Sequence, residues 1–444
     1  MATVEQLLAV LGRRGDAQAS ELATWLQVSR PTVTRLLAAA GDQLCRMGKG
    51  PATRYARTRS LPSLGTRLSL HRIDEAGSVH RDGELHLLAG GRHWLERVKG
   101  ESELFEGLPP FAADMSPQGY IGKNFSLRYP ELALPQRVTD WTDDDCLVSL
   151  ARRGEDCVGD FILGDESFDR YLATPDTHAT ADDYPRLARA SGQGHPGSSV
   201  GGEHPKFATR VKDRHVIVKF AGNDEGAAAS RWKDLLVTEH LALEALRDAG
   251  HAAASTRWLD AEGYRFLEVE RFDRVGLRGR RGLLSLGASD NEYLGVRGTW
   301  TQATLKLNEA RFISEEDARQ ARWLDVFGQL IGNTDRHFGN LAFFTEGPKR
   351  FRLAPAYDML PMMFAPVGTN LVEREYTPQP PNATTLDVWP DAARRALAYW
   401  ERLTQEPALS APFRERCATC ADALRAFIQT QRLWRDLRRS GARE

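Results

Sequence analysis

Apolar positions near the N-terminus recur at helical spacing. Val4, Leu7, Leu8 and Leu11 share one face of a first helix. A second run, with Leu22, Ala23 and Leu26 inside, is expected to start near Ser20, a residue suited to an N-cap. A third opens on Ser29-Arg30-Pro31, where Ser can cap and Pro is tolerated, and buries Val33, Leu36, Leu37 and Ala40. The tight Leu26-Gln27-Val28-Ser29 link predicts a helix-turn-helix, and CRMGKGPATRYAR reads as two strands around a Gly-Lys-Gly-Pro turn. From 63 to 190 the pattern is irregular and turn-rich, with short strand-like pieces such as GELHLLAG. Residues 191–206, SGQGHPGSSVGGEHPK, form the stretch richest in Gly and Ser. KFATRV and HVIVKF then predict paired strands joined by KDRH, followed by a helix from about Arg231 to Ala249 and a strand YRFLEVERF. Beyond residue 310 the spacing is mainly helical, with one hairpin (NLAFF, turn TEGPKR, FRLAPAY). The expected fold class is mixed α/β (α+β) in three parts: a winged helix-turn-helix over 1–60, strands with a glycine-rich loop over 61–273, and a mainly helical part over 274–444.

Composition narrows the function classes. At 444 residues, with 41% hydrophobic and 27% charged residues, the chain is an ordinary globular protein of two or three domains. A formal net charge of -1 gives no global attraction to nucleic acid or membrane. Residues 1–60, however, hold nine Lys/Arg against four Asp/Glu. No run of about eighteen apolar residues predicts a membrane span, and MATVEQLLAVLGRRG lacks the layout of a signal peptide. Five cysteines, an odd and sparse set, fit a reducing cytoplasm. Cys417 and Cys420 fall on the helical stripe Phe413, Cys417, Cys420, Leu424, Phe427, so packing is expected rather than metal binding.

The local positive excess gives the N-terminal part its chemistry. Arg30, Thr32, Thr34 and Arg35 lie on the outer face of the third helix, where small polar and guanidinium groups could enter a major groove. Lys49 and Arg54 sit on the basic wing and could contact phosphates. The expected partner is duplex DNA, bound as half of a symmetric site by a homodimer. A three-helix docking or oligomerisation domain would have the same inner faces.

Phosphoryl transfer is suggested by Gly332-Asn333-Thr334-Asp335-Arg336-His337-Phe338-Gly339-Asn340. Asp335 can deprotonate an accepting hydroxyl, and Asn340, five residues on, can bind Mg²⁺, the interval found in protein-kinase catalytic loops. A helix capped by Ser314 and Asp317 leads into the loop, with Leu324, Phe327, Gly328 and Ile331 on one face. Asp358, closing Ala354-Pro355-Ala356-Tyr357-Asp358, is the expected second metal ligand. Lys219 ends the apolar run Val216-Ile217-Val218 and would point at ATP phosphates; Glu239, on an apolar helix face, is its expected counter-charge. Glu270 and Phe272 follow a strand and could contact adenine. Gly192 to Gly197 spell GxGxxG, but His195-Pro196 and the lack of a preceding strand rule out a dinucleotide fold. The position of this loop before two strands and Lys219 suits a nucleotide cover. Two other readings remain: a transcription regulator whose kinase-like part senses a ligand, and a small-molecule phosphotransferase.

The ordered motifs GLPPFAADM, RRGEDCVGDFIL, SSVGGEHPK, VIVKF, VTEH, VERFDR, GNTDRHFGN and APAYDM resemble the HipA-like serine/threonine kinases of bacterial toxin–antitoxin systems, from about Gly107 to the C-terminal helices. The resemblance implies ATP and Mg²⁺ as cofactors and a nucleotide loop through Gly201, Gly202 and Lys206. It implies an autophosphorylated serine at Ser199, with Ser198 adjacent. Lys219 falls on the phosphate-binding lysine, Glu270 and Phe272 on the adenine hinge, Asp335 on the base, and Asn340 and Asp358 on the metal ligands. His204 stands where the family usually has glutamine. A protein substrate is implied, by resemblance an aminoacyl-tRNA synthetase. The fused N-terminal module is similar to the YjjJ branch, so a separate antitoxin does not follow.

Overall fold

The N-terminal helices form because each buries one stripe. In the computed structural model, which describes residues 2–192, 204–222, 226–347 and 349–441, α1 (Val4–Arg14), α2 (Ala19–Leu26) and α3 (Arg30–Ala40) enclose Leu7, Leu11, Leu22, Val33 and Ala40. A short strand, β1 (Asp16–Gln18), joins β2 (Leu44–Met47) and β3 (Arg54–Arg57) in a sheet of order β1-β3-β2. Two caps differ from the sequence expectation. The second helix starts at Ala19, not Ser20, because Gln18 leaves β1 as its N-cap and donates its N–H to Glu21 Oε2 at 2.7 Å. Ser29 occupies the N-cap of α3, but its hydroxyl bonds the Thr32 hydroxyl (2.9 Å).

Residues 63–190 are far more regular than their polarity suggests. Strands β4 (Arg67–Ile73), β5 (Val79–Leu87), β6 (Arg92–Arg97) and β7 (Glu103–Glu106) are joined by β8 (Phe161–Leu163) in the order β7-β6-β5-β4-β8. The start of β5, VHR, is solvated and hides its strand character, while Leu85 and Leu87 turn inward. Helices α4 (Asp143–Arg153) and α5 (Asp165–Ala173) accompany this sheet, and Leu147 and Leu150 of α4 share its core.

Chain contacts divide the molecule into two units: residues 1–118 with 125–175, and residues 119–124 with 176–444. Within the first, the small sheet is sewn to the larger one. Cys45, Met47 and Ala56 bury Leu88, with Trp94 and Leu104 packed against them. Arg59 N–H donates to Leu87 O (2.9 Å), and Ala89 N–H to Arg57 O (2.8 Å). Arg92 reaches back to Asp16 at 2.7 Å.

The second unit starts with a four-stranded antiparallel sheet of β9 (Lys206–Val211), β10 (Arg214–Ala221), β11 (Thr256–Ala261) and β12 (Tyr264–Glu270), in the order β11-β12-β10-β9. Helix α6 (Ala227–Asp248) lies between β10 and β11 in sequence and buries Leu235, Leu236, Leu243 and Leu246. Its start precedes the expected Arg231 by one turn, because Gly226 caps a run of good helix formers. The rest is mainly helical, as expected: α7 (Trp300–Glu309), α8 (Glu315–Leu330), the hairpin β13 (Ala342–Gly347) and β14 (Arg350–Leu353), then α9 (Trp389–Gln405) and α10 (Ala411–Gly441). Cys417 and Cys420 are buried in this helical core, and burial pushes the Cys420 thiol up to about 12, which makes it an inert packing group. Among the described residues no helix is long and apolar enough to cross a membrane.

The shared core between the small and large sheets is testable. Leu88→Ala in the full chain should cost about 2–5 kcal/mol through the cavity it leaves, whereas Leu172→Ala, at a side chain 50% exposed, should stay near wild type. Urea denaturation of both variants checks this; equal midpoints would contradict the shared core.

Candidate active site

Period-two alternation along β10 turns Val216, Val218 and Phe220 to one face and Ile217, Lys219 and Ala221 to the other. Lys219 therefore faces α6, where Glu239 sits among Leu235, Leu236 and Leu243, 1% exposed. A carboxylate there is costly unless paired. Lys219 Nζ donates to Glu239 Oε1 and Oε2 at 2.6 and 2.7 Å, and also to Asp358 Oδ1. Burial alone would lower the Lys219 ammonium, but Asp358 and Glu239 outweigh it and hold its pKa above the ordinary value. Burial likewise opposes ionisation of Asp358, yet Lys219 and Lys206 hold that carboxyl well below its usual range. Burial raises Glu239 against the pull of Lys219. Lys206 lies directly opposite Lys219 in the β9–β10 register, so the two like charges share a face. Such a pair is disfavoured unless anions lie between them.

The loop carrying Asp335 is held just as closely. Ser314 and Asp317 form the expected capping box at the start of α8. Two residues past the end of α8, Gly332 has φ +72°, and a Cβ there would lie 2.6 Å from Met363 Sδ, so any side chain at this position would be strained. Asn333 is fully buried. Its Oδ1 accepts from Asp335 N–H (3.0 Å) and its Nδ2 donates to Asp358 O (3.3 Å). Asn340 Nδ2 donates to Asp335 O (2.9 Å), which leaves its amide oxygen as a possible ligand. Arg336 donates to Asp325 (3.0 Å), and Asp325 in turn accepts from Thr301 N–H (3.1 Å) and Oγ1 (2.7 Å) on α7. The Asp335 side chain stays 49% exposed.

The expected residues Lys219, Glu239, Asp358, Asp335 and Asn340 thus belong to one hydrogen-bonded chain, with Asn333 as the link. The sequence reading missed Asn333, because an Asn beside Gly at a helix end reads as an ordinary turn residue. Phe272 packs against Tyr357 (ring centroids 5.7 Å), whose hydroxyl donates to Gly339 O at 2.6 Å. Glu270 ends β12, and its side chain lies 3.6 Å from Arg214. His204 is buried edge-on to Trp232 (4.4 Å), and neither ring nitrogen has a partner among the described residues. Burial, with Lys219 and Lys206, pushes its imidazole down to about 3 and keeps it neutral. Ser198, Ser199, Gly201 and Gly202 lie outside the described residues.

In the other unit, Arg30, Thr34 and Arg35 are exposed on α3, with Thr32 partly covered and 3.4 Å from Arg35 Nη2. Lys49 is exposed in the turn between β2 and β3. Arg54 differs in kind: it donates to Asp16 O at 3.0 Å, ion-pairs with the Asp16 carboxylate, and lies 3.5 Å from Glu21. Its guanidinium is committed to holding β3 against β1.

Replacing Lys219 by Met should destabilise the chain by about 3–5 kcal/mol, since Glu239 would be left as a buried unpaired charge. Much of that loss should return in Lys219→Met/Glu239→Leu, where the sealed carboxylate is gone and only Asp358, whose side chain keeps 27% exposure, has lost its partner. Denaturant titration of both variants checks this, and equal instability would contradict it. The Lys219–Asp358 part of the wild-type advantage should be flat from about pH 5 to 9. The depressed Asp358 contributes fully above 3.8 and loses its share as pH falls below; the raised Lys219 contributes fully below 10.5 and loses its share only as pH rises above.

Comparison with known proteins matches residues 64–172 to the YjjJ-like toxin middle domain and residues 198–428 to the HipA-like C-terminal domain. The chain is 32% identical over 419 residues to Toxin YjjJ of Escherichia coli (strain K12), covering 90% of this chain and 93% of that protein. Among solved structures it is similar to a chain of the Shewanella oneidensis MR-1 toxin–antitoxin complex of HipA, HipB and operator DNA. That match has TM-score 0.49 and 15% identity over 82% of this chain and 97% of that one. The Helicobacter pylori proinflammatory kinase CtkA matches with TM-score 0.36 and 14% identity, over 54% of this chain and 96% of that one. With a family domain spanning more than half its length and a relative of that identity along nearly all of it, the chain belongs to the HipA-like family, in its YjjJ-type branch.

Proposed function

We propose that this chain is an ATP- and Mg²⁺-dependent serine/threonine protein kinase acting as a toxin, with its own DNA-binding module over residues 1–60. The reading rests on one observation: Lys219, Asp358, Asn333, Asp335 and Asn340 are joined by consecutive hydrogen bonds. Family membership, and a relative named a toxin, point the same way. The strands and glycine loop of 61–273 would hold the nucleotide, and the helical part of 274–444 would hold the catalytic loop.

The donor set fits a hard divalent cation. The Asp358 carboxylate and the Asn340 amide oxygen are oxygen donors of the kind Mg²⁺ prefers. Among the described residues no group of three or more His, Cys, Asp or Glu is placed to hold a metal, so phosphate oxygens and water would complete the shell. Mg²⁺-bound ATP supplies the phosphoryl group and spreads its charge. Lys219 and Lys206 bind phosphate, Phe272 and Glu270 border adenine, and half-exposed Asp335 takes the proton of the incoming hydroxyl. Gly201 and Gly202 belong to the covering loop, and Ser199 or the adjacent Ser198 receives phosphate in self-phosphorylation. About −1.5 to −2 of added charge there would repel ATP and switch the kinase down. The protein substrate, by family resemblance, is an aminoacyl-tRNA synthetase.

ATP titration with and without Mg²⁺ tests the site. Metal-dependent affinity should be lost in Asp358→Ala and kept in Asp335→Ala, while ADP formation in Asp335→Ala falls about 10²–10⁴-fold. Phosphopeptide mapping should place phosphate on Ser198 or Ser199, and none in Asp335→Ala. Metal-independent affinity, or an Asp358→Ala variant that binds like wild type, would overturn the reading.

The N-terminal module follows the order helix–strand–helix–helix–strand–strand of a winged helix-turn-helix, which supports binding of duplex DNA by a homodimer on a pseudo-palindromic site. Arg54 is engaged with Asp16, so Lys49 carries more of the wing's phosphate contact. Fluorescence anisotropy of the full chain on genomic fragments, in a salt series, should lose affinity uniformly in Lys49→Ala and lose discrimination in Arg35→Ala. Undiminished binding in Arg30→Ala/Arg35→Ala would make this a docking domain.

A further inference from the structure

His337 stands two residues after Asp335 and three before Asn340, with no role in the reading above. It is the N-cap of a short 3₁₀ turn, Phe338–Asn340. Its Nδ1 accepts the Gly339 N–H at 3.0 Å. A backbone donor at Nδ1 fixes the neutral tautomer, so the ring's proton is on Nε2. The backbone is pinned as well: His337 O accepts from Trp300 Nε1 (3.0 Å) and from Asn340 N–H (3.0 Å). Gly339 makes room for the ring, since a Cβ there would meet His337 Cε1 at 2.9 Å and Nδ1 at 3.0 Å.

Capping alone does not need an imidazole. It needs one acceptor, which Asn, Asp or Ser supplies with a smaller side chain. The surplus is the Nε2–H, and it is aimed. Nε2 lies 3.9 Å from Asp335 Oδ1, beyond hydrogen-bond length, and the ring is 59% exposed. It is also within electrostatic reach of Asp358. A fixed N–H donor therefore borders the half-exposed carboxylate that receives the hydroxyl proton.

We propose that His337 is a further catalytic residue, whose Nε2–H donates a hydrogen bond to an oxygen of the phosphoryl group in transit. The proposal rests on the phosphotransfer reading. As the acceptor oxygen bonds to phosphorus, its proton goes to Asp335. The bond from phosphorus to the ADP oxygen breaks with its electron pair on ADP, and the His337 proton stays on the ring. The donor's value lies in being already oriented where negative charge is spread over the transferring oxygens.

The test is ADP formation from ATP and MgCl₂ by the full chain, which needs no knowledge of the acceptor, alongside calorimetric ATP affinity with MgCl₂ present. His337→Ala should lower turnover about 10²-fold with nucleotide affinity unchanged. His337→Gln keeps an acceptor and a donor at similar reach and should recover part of that loss. His337→Asn keeps the cap but is too short to reach, and should remain as slow as His337→Ala. Gly339→Ala should slow the wild-type chain by displacing the ring, and add little in the His337→Ala background. Full turnover in His337→Ala, or rescue by His337→Asn, would overturn the proposal and leave His337 a cap. Asp335→Asn turning over at the wild-type rate would sink the phosphotransfer reading itself, and this role with it.

Discussion

One buried ammonium organises the second unit. Lys219 leaves water almost completely, which is tolerable only because two carboxylates close on it. Each carboxylate comes from a different part of the chain. Glu239 ties the sheet to α6, and Asp358 ties it to the segment after the β13–β14 hairpin. The two are not equivalent. Glu239 is sealed at 1% side-chain exposure, while Asp358 retains 27%. Asp358 is therefore the exchangeable partner, and Glu239 the permanent one. A site built this way holds its lysine in place by its own carboxylates alone.

Asn333 carries that order into the loop that holds Asp335 and Asn340. Both ends of one small amide are used, on Asp335 N–H and on Asp358 O, so Asp335 and Asp358 are set by the same side chain. Asp358 itself has φ +52°, a left-handed conformation that Asp tolerates better than most residues. Asn333 and Asn340 act on backbone groups, which fixes loop shape, while the Asp335 side chain stays 49% exposed.

Lys219 and Glu239 were readable in the sequence because each breaks an apolar pattern, on a strand and on a helix face respectively. Asp335, Asn340 and Asp358 were readable through spacing. Asn333 was not, since its two partners are distant or backbone and leave no periodic trace. The nine-residue β5 was underread because its start is solvated on both faces. That Arg54 of the basic wing also pairs with Asp16 leaves no trace in the sequence, because Asp16 lies 38 residues away and meets it through strand pairing. The mixed α/β class and the helical C-terminal part, which depend on long periodic stretches, followed directly from the pattern.

The seam at Leu88 bears on inheritance. A small N-terminal module joined by a loose tether can be exchanged between genes by recombination in the tether. Here Cys45, Met47 and Ala56 share a hydrophobic cluster with Leu88, Trp94 and Leu104, and Arg92 clasps Asp16. A crossover near residue 60 would deliver half of that cluster to an unmatched partner. Because β8 and α4 complete the same sheet and core, the first 175 or so residues should travel through evolution as one cassette, and change on the exposed face of α3 would have to arise by drift rather than by swapping modules.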